Sequence, residues 1–182
     1  MKYTHTHKNE FHVQMDFLGS IRTDKKSILT MTIPHLHYVM LFLCDCPNQD
    51  KITTIFNTIQ TKLGTKEFAT VFPFILTDRD PCFSDFNKIE IDPDTSEIRT
   101  HLFYCDSFNS SQKANVEQMN KQLRLFFPKG KSIEHHTKES VKEFEQIVNN
   151  SKIQSLSKAT PTEALISVYG EKTLNDLKSI LI

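Results

Sequence analysis

The sequence predicts an α/β fold: a mixed sheet, built on an antiparallel three-strand meander with further strands, flanked by α-helices. Three observations predict it. Between Phe11 and Cys44, three strand-like runs follow one another across short polar turns. Two more short strand-like runs, the apolar Val71 to Leu76 and then Arg99 to Tyr104, come later. Between and after them, apolar residues recur at helical rather than alternating spacing. A length of 182 residues suits one domain with a sizeable core.

The first run, Phe11 to Phe17, alternates: Phe11, Val13, Met15 and Phe17 fall on one side, His12, Gln14 and Asp16 on the other. A period of two argues a strand with one covered face. Gly19 and the polar stretch Arg22 to Lys26 make a turn, and Ser27 to Ile33 is the second run. Pro34-His35 turns the chain into Tyr38 to Cys44, nearly all apolar, as expected of a strand buried on both faces. Such short connections favour an antiparallel meander.

Ile52, Ile55, Phe56, Ile59 and Leu63 mark a helix from about Asn48, stopped by Gly64. Val71 to Leu76 reads as a strand, with Pro73 near its start, leading into Thr77-Asp78. Asp85 to Asp94 reads as one helical turn and a loop, and Arg99 to Tyr104 as another strand. Val116, Met119, Leu123, Phe126 and Phe127 mark an amphipathic helix ended by Pro128 and Gly130. Val141, Phe144, Ile147 and Val148 mark the next, with Thr137 as its cap. Thr160-Pro161-Thr162-Glu163 is a helix start, with a capping box between Thr160 and Glu163 and proline at the first helical position. That helix ends at Gly170, and a last one holds Leu174, Leu177 and Ile180. The expected organisation is a lead of residues 1–10, a core of residues 11–170 and a C-terminal helix of residues 171–182.

Composition narrows the function classes. Lys+Arg 22 balance Asp+Glu 22, so any nucleic-acid contact must be local rather than global. No apolar run approaches the ~18 residues of a membrane span, and the first ten residues lack the apolar core of a secretory signal. Cys44, Cys46, Cys82 and Cys105 are too few and scattered for a disulfide scaffold, which points to a reducing cytoplasm. The spacing of Cys44 and Cys46 is not that of a zinc knuckle. His5, His7, His35, His37, His135 and His136 read as loop and terminal histidines.

Three carboxylates stand out. Asp16 lies on a strand whose apolar residues point the other way. Asp78 follows the end of a buried strand, where open α/β sheets place chemistry. Glu117 lies in the first turns of a helix and shares a face with Asn120, Lys121 and Arg124. Each has a plain alternative: a solvent-face strand residue, a turn aspartate and an i,i+4 surface pair with Lys121. Together on two strands and a helix, the three could hold two Mg²⁺ or Mn²⁺ ions, because hard oxygen ligands suit those cations rather than zinc.

The stretches MDFLGS, ILTDRDPCFSDFNKIE and RTHLFYCDSFNSSQKANVEQMNKQLRLFFPKG, with the later NNSKIQSLSKATPTEAL, resemble the catalytic core of the IS-thirty family of insertion-sequence transposases. The likeness runs from about Phe11 to Leu165. It implies a ribonuclease H-like fold with an Asp-Asp-Glu site in which Asp16, Asp78 and Glu117 are catalytic and metal-holding, served by two Mg²⁺ (or Mn²⁺) ions. It implies cleavage of DNA at element ends and 3′-hydroxyl strand transfer, with DNA and further copies of the chain as partners, in a bacterial cytoplasm at the nucleoid. Lys113 matches a usual basic position, and Lys113, Lys121, Arg124, Lys129 and Lys131 are the expected phosphate contacts.

The sequence departs from that family's pattern at three places. Asp80 stands where glycine is usual, placing a Cβ and a charge in an expected tight turn. Cys82 replaces a glutamate and Ala114 another glycine. The few residues ahead of the first strand leave no room for the family's N-terminal helix-turn-helix region, so none is expected in this sequence. These departures define the alternative: a truncated, catalytically impaired remnant acting as a binding or interaction module.

Overall fold

The computed structural model describes residues 11–19, 21–106 and 110–181. The lead of residues 1–10, with His5 and His7, lies outside the described residues. Strands β1 (Val13–Leu18), β2 (Lys26–Ile33) and β3 (Tyr38–Asp45) form the expected antiparallel meander. Helix α1 (Gln49–Leu63) starts at Asn48, whose side chain accepts from the Lys51 amide, and ends at Gly64. Gly64, at φ 82°, takes a backbone conformation that a side chain would strain, and a second helix, α2 (Thr65–Val71), starts there at once.

That second helix corrects the sequence reading. Val71 ends α2, Phe72 caps it, and strand β4 covers only Phe74–Thr77. Pro73, lacking an N–H, stands just outside the ladder. A short helix α3 (Asn87–Glu90) and strand β5 (His101–Tyr104) follow. Both β4 and β5 run parallel to their neighbours, giving a five-stranded mixed sheet of order β3-β2-β1-β4-β5. The chain closes with α4 (Ala114–Leu123), α5 (Lys138–Asn149) and α6 (Pro161–Lys178). Thr160 and Glu163 form the capping box of α6, and Gly170, at φ 86°, breaks its helical path.

The two faces of the sheet carry different cores. Val13, Met15, Leu29, Met31, Tyr38, Met40 and Ile75 pack with Phe56, Phe68 and Phe72 under α1, α2 and α6. Fully burying each such side chain contributes roughly 1.5–3 kcal/mol. Leu174, Leu177 and Ile180 join this same core. On the other face, Leu18, Ile28, Val39, Leu41 and Leu43 pack with Met119, Leu123, Phe127 and Val141 of the α4–α5 layer. The alternation predicted for β1 therefore holds, but its polar side faces a helix: Gln14 is 3% exposed.

Helix α5 also departs from its apolar pattern. Lys142, Glu145 and Asn149 are buried, while Ile147 is 52% exposed. The cause is that β3 is an edge strand. Asn149 Oδ1 accepts from the Val39 amide and its Nδ2 donates to the Val39 carbonyl, at 2.9 and 2.7 Å. Glu145 accepts from the Leu41 amide at 2.7 Å. Polar side chains thus satisfy the backbone groups that an edge leaves open. Among the described residues, no helix is long and apolar enough to cross a membrane.

Candidate active site

The parallel pairing of β1 with β4 matches Val13 with Ile75 and Gln14 with Leu76. Continued by two residues, the same register sets Asp16 beside Asp78. The Thr77 hydroxyl donates to the Met15 carbonyl at 3.1 Å, tying the two strands together just before the aspartates. Both carboxylates lie on the face covered by α4.

A residue of β1 holds that helix in place. α4 has no side-chain cap of its own at its start. Instead Gln14 Oε1 accepts from the Val116 amide at 3.0 Å, and Gln14 Nε2 donates to the Gln112 carbonyl at 3.3 Å. One of the orphan amides of the first helical turn is thereby satisfied from the sheet. Sequence reasoning missed this. The available signal was that Gln14 shares a strand face with Asp16.

Lys113, immediately before α4, turns inward. Its Nζ lies 3.1 Å from Asp16 Oδ1 and 3.0 Å from Asp78 Oδ2. One turn beyond Glu117, Asn120 Nδ2 donates to Asp16 Oδ2 at 3.0 Å. Lys113 and Asn120 are four residues before and three after Glu117, so all three share one helix stripe. Glu117 itself is half-buried, and among the described residues no hydrogen bond or ion pair joins it to Asp16 or Asp78. The structure thus brings Asp16 and Asp78 together and leaves Glu117 beside them. One ammonium offsets one carboxylate charge of two, and a third carboxylate would add repulsion.

The Lys113 side chain is 8% exposed and that of Asp16 21%. Burial raises the Asp16 carboxyl above its ordinary range. Lys113 works against this and Asp78 adds to it, with a net rise. Burial disfavours the charged Lys113 ammonium, but Asp16 and Asp78 outweigh it and the group is held above its usual value. Cys105, nearby, is pushed up to about 11, first by burial.

Two oxygens at this site are buried and lack a hydrogen-bond donor: Asp78 Oδ1 and Asn120 Oδ1. Unsatisfied buried acceptors are costly, and a hard cation satisfies such oxygens. Oxygen donors of this kind suit Mg²⁺ or Mn²⁺ rather than zinc. Among the described residues, no three His, Cys, Asp or Glu side chains converge as a metal-holding group.

The other basic residues divide. Lys121, Lys129 and Lys131 are exposed. Arg124 is committed to the fold: its Nη1 donates to the Gly19 and Phe127 carbonyls at 2.9 and 3.3 Å. Lys113 points into the carboxylates rather than outward.

The segment after Asp78 corrects another expectation. Asp80 has φ −67° and ψ 140°, ordinary extended backbone, so no glycine conformation is required there. Its carboxylate accepts from the Cys82 amide at 2.8 Å and starts the 3-10 turn Pro81–Phe83. Cys82 packs against the main core, and burial, then Asp80, push its thiol up to about 12. Ala114 is the first residue of α4 and has no left-handed backbone.

A groove of about 900 Å³ lies elsewhere. Asn115, Gln118 and Gln122 line it, with Met119, Phe126 and Val148, and it contains no carboxylate. The chemistry available to the aspartate pair makes that pair the better site.

No family model matches the chain. Over 75 residues, the chain is 36% identical to a protein named "Putative integrase ORF3" from Spiroplasma virus SpV1-R8A2 B. The matched region is 41% of this chain and 21% of that relative, so the chain spans about a fifth of the viral protein's length.

Proposed function

We propose that this chain is the catalytic core of a DNA-integrating enzyme, of the kind the IS-thirty transposases exemplify, with a ribonuclease H-like arrangement of its sheet. The observation that carries this reading is the placement of Asp16 beside Asp78 on adjacent parallel strands, with the unsatisfied Asp78 Oδ1 at the same point. The similarity to part of a protein named as an integrase supports it. So does the five-stranded mixed sheet, whose order β3-β2-β1-β4-β5 is compatible with that fold.

In this reading, Asp16 and Asp78 hold the divalent cation, and Glu117, on the adjoining helix, is the third ligand. Mg²⁺ or Mn²⁺ bound there would activate an attacking water or sugar hydroxyl and stabilise the leaving oxygen at a phosphodiester. Asn120 orients Asp16 through its amide N–H. Gln14 fixes the helix that carries Glu117. The exposed Lys121, Lys129 and Lys131 supply charge for DNA phosphates. DNA is the substrate, copies of the chain assemble on it, and the work takes place in the cytoplasm.

The test is titration calorimetry of the chain with MnCl₂ and MgCl₂, followed by an assay for nicking and joining of DNA that carries element ends. Wild-type protein binds the metal; Asp78→Asn and Glu117→Gln bind it more weakly and lose nicking. Binding that neither substitution changes would sink the assignment.

A further inference from the structure

We propose that Lys113 is the built-in counter-ion of the aspartate pair, and that a divalent cation binds by displacing its ammonium. The inference rests on the proposed metal site and names the residue that sets its affinity. The sequence suggested a phosphate contact for Lys113; the geometry points to another role.

The Lys113 Nζ bridges Asp16 Oδ1 and Asp78 Oδ2 at 3.1 and 3.0 Å. It thus occupies the position between the two oxygens that a cation shared by both would take. The Lys113 side chain is almost fully buried and that of Asp16 largely so, which shields this arm of the bridge, whereas the Asp78 side chain is 49% exposed and solvent screens the other arm more. Two carboxylates side by side repel, and Lys113 supplies one compensating charge. A divalent ion supplies two on a smaller radius and wins the oxygens when present. Cation and ammonium cannot share the bridging position, because they repel.

The unsatisfied oxygens show where the ammonium falls short. Lys113 bonds one oxygen of each aspartate, and Asn120 bonds the second oxygen of Asp16. Asp78 Oδ1 and Asn120 Oδ1 receive nothing. An ammonium has three N–H groups in fixed directions, whereas a hard cation takes six or more oxygens. The site is therefore closed by Lys113 but not saturated by it. Lys113 makes the metal-free protein stable at the expense of metal affinity.

The experiment is calorimetry with MgCl₂ and MnCl₂ on the full chain, comparing wild type, Lys113→Gln and Asp78→Asn. Lys113→Gln should bind both metals at least about tenfold more tightly, because the competing charge is gone. It should also melt lower without metal and gain more from added Mg²⁺ than wild type does. Equal or weaker binding by Lys113→Gln, with binding still lost in Asp78→Asn, would overturn the displacement and leave the metal site standing. No binding by either wild type or Lys113→Gln would overturn both. Should Lys113→Gln not fold, ¹⁵N NMR of the wild-type lysine ammonium groups decides. The Lys113 signal should shift on saturation with Mg²⁺, and an unmoved signal would refute the inference.

Discussion

The Gln14 side chain accepts a hydrogen bond from the Val116 amide at 3.0 Å, so the strand that carries Asp16 also anchors the helix that carries Glu117. Replacing Gln14 with leucine keeps the volume but leaves a buried amide without a partner, at a cost of about 1–3 kcal/mol. Hydrogen exchange separates this local effect from global loss. In Gln14→Leu, the Val116 amide should exchange far faster, with a smaller change at Ile59 of α1. Equal acceleration at both would mean that Gln14 contributes only general stability.

Asn149 makes the corresponding contact at the other end of the sheet. Its amide pairs with both backbone groups of Val39 on the β3 edge. Asn149→Ala should cost about 1–3 kcal/mol and open a stretch of edge strand to other chains. Urea unfolding measures the first effect and light scattering during refolding the second. A stable, monomeric Asn149→Ala would show that the packing of α5 alone protects the edge.

Arg99 organises the connection between β4 and β5. It is 2% exposed and donates to the Asn57 and Gln60 side chains and to the Lys88 and Ile89 carbonyls. Gln60 in turn bonds Asp92. Arg99→Met removes the donors and strands several buried acceptors, so the expected loss is above about 3 kcal/mol. Limited proteolysis should then cut within 84–100 before the rest of the chain. Resistance of that segment would place its stability in the Phe83 and Ile89 packing instead.

The three-strand meander and several helix starts and stops were legible because each follows from local chemistry, but the helix that carries Glu117 ends at Leu123, short of the expected stop at Pro128 and Gly130. Period-two alternation marked β1, and Gly64 and Gly170 marked breaks that need positive φ. Asp16 and Asp78 were legible as candidates from their strand positions taken together with Glu117, whereas each alone had a plain alternative. Contacts that depend on tertiary placement were not legible. Nothing local says that β3 is an edge, so nothing in the sequence marked Glu145 and Asn149 of α5 as buried. Lys113 looked like a surface cation because its inward turn depends on where β1 and β4 lie. Helix α2 was hidden because Thr65 to Val71 is short and its apolar end merges with β4.

His136 gives a pH dependence with a definite sign. Its ring packs on Phe127 and Phe144 at 5.0 and 5.9 Å between centroids. Burial, then His135 and Lys26, push its pKa below the ordinary value. The folded chain therefore binds this proton less tightly than the unfolded chain does. The stabilising contribution is complete above about 6.5, the unfolded value, and is lost as pH falls below it toward the depressed folded value. Melting temperature against pH should decline over that window in wild type and decline less in His136→Phe. Identical slopes would assign the acid limb to other groups.

Restoring the residues usual in the resembled family should not improve the fold. Asp80→Gly removes the carboxylate that caps the Pro81–Phe83 turn at a backbone angle that never needed glycine, a loss of a few tenths to about 1 kcal/mol. Ala114→Gly raises the entropic cost of starting α4 by up to ~1 kcal/mol. Cys82→Glu sets a charge against the core residues that the thiol now touches, at about 1–3 kcal/mol. The triple variant should therefore unfold at lower urea than wild type. An increase in stability would show that the 79–83 turn is strained in a way its dihedral angles do not reveal. Metal titration of the same variant separates fold from chemistry. Lys113 is left unchanged in it, so its Mg²⁺ affinity should stay close to that of wild type, and tighter binding would show that Asp80 or Cys82 also lowers the affinity.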